Sequence, residues 1–425
     1  MAQGTLAVQL TIGGAEPITS GKVVISDDTG QELYTLYTNE SGKTIPVTLE
    51  APPAEYSLGV GEPQPYSSYN IRITADGFKD VVINGVQIFA GTEALQNVIM
   101  TAGEGEVVIN IPPPVLWGDY PEKEPEEEVK EIPPEIGPHT LFGNYPPKIA
   151  ESEIKPMTES GEIVLSRVVI PEYVIVHDGA PSDSSARNYW VRYRDYIKNV
   201  ASSEIYSTWD EAAIRANVLA IQSFVLNRVF TEWYRNKGYN FTITNSTRYD
   251  QAFNYGRTIY EDISIIVDEM FTNYIKREGE IQPLFAQYCD GRNVVCPNWL
   301  SQWGSAALAE QGYSAMDILR YYYGEDIYLE QAESVSGVPV SFPGENLTIG
   351  SRGNDVRTIQ SQLNTISRTY SAIPRLAVDG IYGEATVESV KAFQNIFNMP
   401  QTGIVDLATW YQISQIYVAL EKLAE

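Results

Sequence analysis

A Pro- and Glu-rich stretch divides this chain and limits what it can fold into. It runs from residue 104 to about 165 and includes "IPPPVLWGDYPEKEPEEEVKEIPPEIGPHTLFGNYPPKIAESEIKPMTES". Such a composition cannot bury enough apolar surface to offset the entropy of folding, so it forms no core of its own. It is expected to be extended, partly polyproline and exposed. The 425 residues must therefore collapse as separate units on either side of it. The stretch holds a small internal repeat, "LWGDYPEK" from Leu116 and "LFGNYPPK" from Leu141. The repeat reads either as recurring turn chemistry or as two aromatic anchors that dock the segment on a neighbour.

On the N-terminal side, residues 1–103 read as a β-sandwich. "TLAVQLTI", "KVVISDD", "ELYTLYT", "YNIRITADGF", "DVVINGVQIF" and "LQNVIMTA" alternate or run apolar, with turn signals such as "DDTGQ" and "NESGK" between them. The pattern resembles the carboxypeptidase-regulatory-like and Cna-B-like sandwiches and holds no catalytic constellation, which implies a structural or regulatory module.

Beyond the linker, residues 166–335 open with strands in "RVVIPEYVIVHDG". Amphipathic helical patterns follow in "AAIRANVLAIQSFVLNRVFTEWYRNKG" and "EDISIIVDEMFTNYIKREG". Residues 345–425 carry three helical patterns, "SRGNDVRTIQSQLNTI", "GEATVESVKAFQNIF" and "DLATWYQISQIYVALEKLA", with turns at "VDGIYG" and "MPQTGIV". The expected fold class is a multidomain α+β chain: an N-terminal β-sandwich, a linker, a central α+β domain and a C-terminal three-helix domain.

The net charge of -26 argues against a nucleic-acid or anionic membrane partner, since phosphates need Lys and Arg. A neutral or weakly charged partner fits better. "MAQGTLAVQLTIGG" has no basic start and no long apolar run, so it reads as a strand and not as a leader. The expectation is a chain made in the cytosol without a signal peptide. The only histidines, His139 and His177, are isolated. Cys289 and Cys296 lie too far apart for a zinc ribbon and have no second pair, so no metal or other cofactor is expected. A short disulfide loop and two buried thiols both fit these cysteines. The 28 tyrosines fill half-buried positions or stack on sugars.

Two regions resemble known families. "IGSRGNDVRTIQSQL" followed by "AVDGIYGEATVESVKAFQNIFNMPQTGIVDLATW" is similar to the peptidoglycan-binding family 1 domain, with Val390 and Phe393 facing the core. The central part resembles the SpoIID/LytB family, which includes peptidoglycan lytic transglycosylases. Three stretches carry that match: "YIKNVASSEIYSTWDEAAIRANVLAIQSF", "YDQAF" at 249–253, and "LSQWGSAALAEQGYSAMDILRYYYGEDI". The resemblance implies that Glu204, ahead of the long helix, is the catalytic acid. The chain departs from the family at Gln222, where a basic residue is common, and at "YCDGRNVVCPNW", which replaces a Gly-rich segment. The full order of units resembles the spore cortex-lytic enzymes of anaerobic spore-formers. That likeness implies a zymogen held in the spore, in the cortex or coat–cortex region. It also implies peptidoglycan as substrate and a subtilisin-like germination protease that removes the N-terminal part.

The chemistry fits one acid. In a lytic transglycosylase a single carboxyl group protonates the leaving oxygen and then takes the proton from the muramyl 6-hydroxyl. Ordinary glycosidases use two carboxylates at a set separation. The acid needs a raised pKa, and Ile205, Tyr206 and Trp209 are apolar neighbours able to desolvate it. Asp210 and Glu211 are alternative acids, though their place at a helix start suits the macrodipole. Gln251, Tyr288, Ser301, Gln302 and Trp303 are candidate substrate contacts, because Gln bonds N-acetyl groups and rings stack on sugars. Other readings are a non-catalytic cortex-binding scaffold, a zinc amidase poorly served by two scattered histidines, and a leaderless phage-type lysin.

Overall fold

The computed structural model describes residues 2–59, 61, 63–117, 139–140, 164–165, 168–332 and 334–421. The first unit packs two sheets against each other, and it supplies four strands of one and all five of the other. β1 (Ala2–Ile12) lies parallel to β8 (Glu93–Ile99) and antiparallel to β2 (Glu16–Pro17) and β5 (Val47–Ala51). The second sheet runs in the order β4 (Glu32–Tyr37), β3 (Lys22–Ser26), β6 (Ser67–Thr74), β7 (Asp80–Ile88), β9 (Glu106–Asn110). Leu6, Val8, Leu10, Val23, Ile25, Ile71, Ile73, Val81 and Ile83 are buried between the sheets, as period-2 alternation requires.

Two strands extend this unit beyond its expected end at residue 103. β9 pairs in parallel with β7 from Asp80↔Glu106 to Asn84↔Asn110; its β-branched Val107, Val108 and Ile109 suit a strand, and alternate residues are half-buried, as at a sheet edge. From the central unit, Ile259–Tyr260 pairs antiparallel with β8 at Leu95 and Ala94. The sandwich thus shares a sheet with the part of the chain beyond the linker. Within the linker, His139–Thr140 pairs with Val164–Leu165.

The first aromatic anchor of the linker is docked: Leu116 is buried, and the Trp117 ring meets Tyr66 edge-on at 6.5 Å. The second copy of the repeat, from Leu141, lies outside the described residues.

The central unit is built on α1 (Tyr193–Glu204), α2 (Glu211–Phe230), α3 (Glu261–Met270), α4 (Gln302–Glu310) and α5 (Ala315–Tyr323). A sheet of Asn188–Arg192, Tyr173–His177 and Ile243–Thr244 flanks them. His177 is a packing residue here, stacked on Phe241 at 4.4 Å with Nδ1 bonded to Asn188 at 2.8 Å.

Two helical expectations need correction. α2 is buried on almost every face, so it is a central spine and not an amphipathic surface helix. Its polar side chains survive there because each is bonded: Asn217 Nδ2 donates to Ser305 Oγ at 2.7 Å, and Gln222 Nε2 to the Met270 and Asn273 carbonyls at 2.8 Å each. Gln222, in place of a basic residue, is thus a structural tie. The pattern through "FTNYIKREG" is not helix past Met270. Asn273–Arg277 is a strand antiparallel to Ile327–Gln331, where buried Tyr274 and Ile275 pack better on a sheet.

The C-terminal unit is α6 (Asn354–Ile366), α7 (Glu384–Ile396) and α8 (Leu407–Leu420) around Val356, Leu363, Val390, Phe393 and Trp410. Buried Gln360 and Gln394 act alike. Their side-chain carbonyls accept from the Gly380 and Gly403 amides at 2.9 and 2.8 Å, pinning the turns before α7 and α8. Arg194 on α1 joins this unit to the central one through Gln412 and Gln415, and Lys43 joins it to the sandwich through Asn398. Among the described residues no helix is long and apolar enough to cross a membrane.

Candidate active site

Glu204 is the last residue of α1, and its side chain is fully buried. Asp210 starts α2 six residues later, so the chain turns sharply through Ile205–Trp209 and packs the carboxyl inward. Three donors meet it. The Ala252 amide gives a 2.7 Å bond to Oε1, Gln302 Nε2 lies 3.4 Å from Oε2, and the Tyr288 hydroxyl is also bonded to it. Burial disfavours the charge and outweighs these donors, which favour it. The pKa rises from 4.5 to about 7. A carboxyl so held is part protonated near neutrality and can both give and accept a proton.

The candidate residues fall into distinct places. Gln251 is wholly buried and bridges the site: Tyr196 OH donates to its Oε1 at 2.8 Å, and its Nε2 donates to Tyr288 OH at 3.0 Å and to the Ile221 carbonyl at 3.1 Å. A Tyr196–Gln251–Tyr288–Glu204 chain of hydrogen bonds results. Tyr288 is kept a neutral phenol, its pKa raised well above 10 by burial and then by the Glu204 charge. Ser301 caps α4, its Oγ accepting from the Gly304 amide at 2.9 Å. Gln302 is buried, and its Oε1 has no partner among the described residues; nor has buried Trp303 Nε1. Orphan polar atoms beside a buried acid call for an explanation, and a polar ligand supplies one.

Tyr206, Trp209 and Trp303 form an aromatic cluster, with Trp209 and Trp303 centroids 5.4 Å apart and Tyr206 5.9 Å from Trp303. Gly304 in "SQWG" is required by close approach, since a Cβ there would strike the Tyr322 hydroxyl. Gly291 has a φ of 79° and sits against Ser301, which excludes side chains twice over. Cys289 and Cys296 are joined in a disulfide that closes the loop between them.

The other acids have structural duties. Asp210 caps α2, accepting from the Ala212 amide at 2.8 Å, and Glu211 is an exposed ion-pair partner of Arg215. Asp250, next to Gln251, accepts from Arg228 Nε, Tyr234 OH, and the Thr244 amide and hydroxyl, all within 2.9 Å. Sequence reasoning missed Tyr196 and the Ala252 amide. Nothing in the local pattern marks a backbone N–H as a partner for a residue 48 positions away. Among the described residues no three of His, Cys, Asp and Glu gather as a metal-ligand set.

The sandwich and the segment after it close over the turn that follows Glu204. Trp209 Nε1 donates to the Ser57 carbonyl at 2.9 Å, Thr208 Oγ1 to Ser57 Oγ at 2.6 Å, and the Phe89 ring lies 5.5 Å from Tyr206. The Val115 amide donates to the Ser203 carbonyl at 2.9 Å. Buried Arg257 donates to the Ser202 carbonyl and, at 2.7 Å, to that of Pro112.

Residues 352–413 match the family model described as a putative peptidoglycan binding domain. The match takes in all of α6 and α7 and the first half of α8. The chain therefore carries a peptidoglycan-binding domain, which supports peptidoglycan as a partner. No curated protein matches the chain. Among solved structures, the SleB N-terminal domain is 26% identical over 18% of this chain and 99% of its own, with a TM-score of 0.16. The major pilin subunit BcpA of Bacillus cereus is 17% identical over 25% of this chain and 28% of its own, with a TM-score of 0.15. At those TM-scores neither likeness bears on fold or function.

Proposed function

We propose that this chain is the precursor of a peptidoglycan lytic transglycosylase that degrades spore cortex during germination. More narrowly, it is a cortex-lytic enzyme of the SleC type, with a SpoIID-like catalytic domain over residues 166–335. The observation that carries this reading is the Glu204 carboxyl, wholly buried, held by three donors and raised to a pKa of about 7. Protonated Glu204 gives its proton to the glycosidic oxygen between N-acetylmuramic acid and N-acetylglucosamine as the bond to the muramyl anomeric carbon breaks. The muramyl 6-hydroxyl then bonds to that carbon, and its proton returns to Glu204. The product is a 1,6-anhydro ring, and no water is consumed. One carboxyl suffices, in keeping with Asp250 being tied to Arg228, Tyr234 and Thr244.

Full burial of Glu204 also bears on activation. A sugar cannot reach it while Ser57, Phe89 and Val115 hold the surrounding turn. Cleavage by a subtilisin-like protease within residues 104–165 would free the sandwich and open the site. The reading places the precursor in the spore, in the cortex or coat–cortex region. The test compares cortex lysis by the uncut chain, the cut chain and cut Glu204→Gln. Lysis by the cut chain alone is expected. Equal lysis by cut and uncut chains would reject the closed-precursor reading. Lysis that survives Glu204→Gln would reject Glu204 as the acid, and new free amines on intact glycan would indicate an amidase. No lysis with wall binding kept would leave a scaffold.

A further inference from the structure

A cleft of about 440 Å³ lies where the three units meet, and Glu204 is not among its lining residues. Of the rings that line it in the central unit, two are widely exposed: Trp190, 51% exposed, and Tyr255, 50% exposed and stacked on Tyr189 at 4.8 Å. Exposed rings grouped on one cleft mark a candidate binding surface. The remaining rim is rich in amides: Asn97 from the sandwich, and Asn398, Gln412 and Gln415 from the peptidoglycan-binding domain. Arg194 holds the carbonyl oxygens of both glutamines, which fixes their amides in place.

Charge sets the cleft apart from the rest of the molecule. In a chain of net charge -26, Asp195 is its one lining carboxylate, against Arg192, Lys198 and Arg257. Flat rings with fixed amides and few carboxylates suit N-acetylated sugars: rings take the apolar face of a pyranose and amides take the acetamido and hydroxyl groups.

We infer that the uncut chain binds an N-acetylated glycan strand in this three-unit cleft, at a site separate from Glu204. This rests on the cell-wall reading given above. Because β1 and β8 of the sandwich supply one wall, loss of the sandwich would dismantle the cleft. The precursor would then be moored to glycan by a site that its cut form lacks.

The probe is the N-acetylglucosamine tetrasaccharide, titrated into the full uncut chain by calorimetry. Saturable binding is expected. It should weaken about tenfold to a hundredfold when Trp190→Ala and Tyr255→Ala are combined, as loss of two stacked rings implies. Trp190→Phe, which keeps a ring face, and Glu204→Gln should both retain it, with melting temperatures of all variants near that of the parent. No saturable binding, or binding unmoved by the double substitution, would overturn the inference. Cortex lysis by the cut chain is scored separately. A lysing cut chain with no tetrasaccharide bound to the uncut one rejects the cleft alone. Binding lost in the double variant supports the cleft even where the cut chain fails to lyse cortex.

Discussion

Glu204→Gln should gain stability relative to the parent as pH rises from acid to alkaline. The carboxyl has a folded pKa of about 7 against an ordinary 4.5. A group whose pKa rises on folding binds more protons folded than unfolded between those values, so stability falls as pH climbs through that window. Below 4.5 the carboxyl is protonated in both states and the penalty is absent; above 7 it is complete. Each pH step is worth about 1.4 kcal/mol, which sets the full penalty at about 3 kcal/mol. Glutamine keeps the shape and carries no charge, so it escapes that penalty. Any cost of placing its amide beside the Gln302 amide is the same at every pH. Urea unfolding of both proteins at pH 4 and pH 8, followed by tryptophan fluorescence, measures the difference; Trp209 and Trp303 report from beside the site. The stability gap should shift by about 3 kcal/mol towards the variant between the two pH values. A gap that stays constant would show that Glu204 is not a buried, proton-binding acid.

Three further outcomes follow from the packing. Asp250→Ala should cost about 3–5 kcal/mol in urea unfolding, because it leaves the buried Arg228 guanidinium without its carboxylate. Gly304→Ala should lower the melting temperature and cortex lysis together, since the new methyl group meets the Tyr322 hydroxyl, whereas Ala307→Gly on the same helix should only cost about 1 kcal/mol of stability. Replacing Cys289 and Cys296 together by Ser should cost about 2 kcal/mol, and adding reductant should then have no further effect on unfolding.

Much of this structure was legible in the sequence, for identifiable reasons. Period-2 strands and the three C-terminal helices were readable because their apolar positions alternate or recur over whole elements, as around Val390 and Phe393. β9 was hidden because its apolar run is only three residues long and the Pro-rich composition that follows masks it. Asn273–Arg277 was hidden because its apolar residues continue the phase of α3. The near-total burial of α2 could not be seen, because Asn217, Gln222 and Asn227 look like a polar face until their partners are known. The same division holds at the site. Glu204 and Gln302 could be singled out, and the structure brings their side chains together. The Ala252 amide and the Ser57 and Phe89 contacts depend on how distant segments meet, which no local pattern records.

The most direct test of the account is the mass of the muropeptides released from purified cortex by the chain cut between residues 104 and 165. The account predicts glycan ends in 1,6-anhydro-muramic acid, lost with Glu204→Gln. Reducing muramic acid or glucosamine ends would contradict it, since they would mean hydrolysis by water and a second carboxylate in the mechanism.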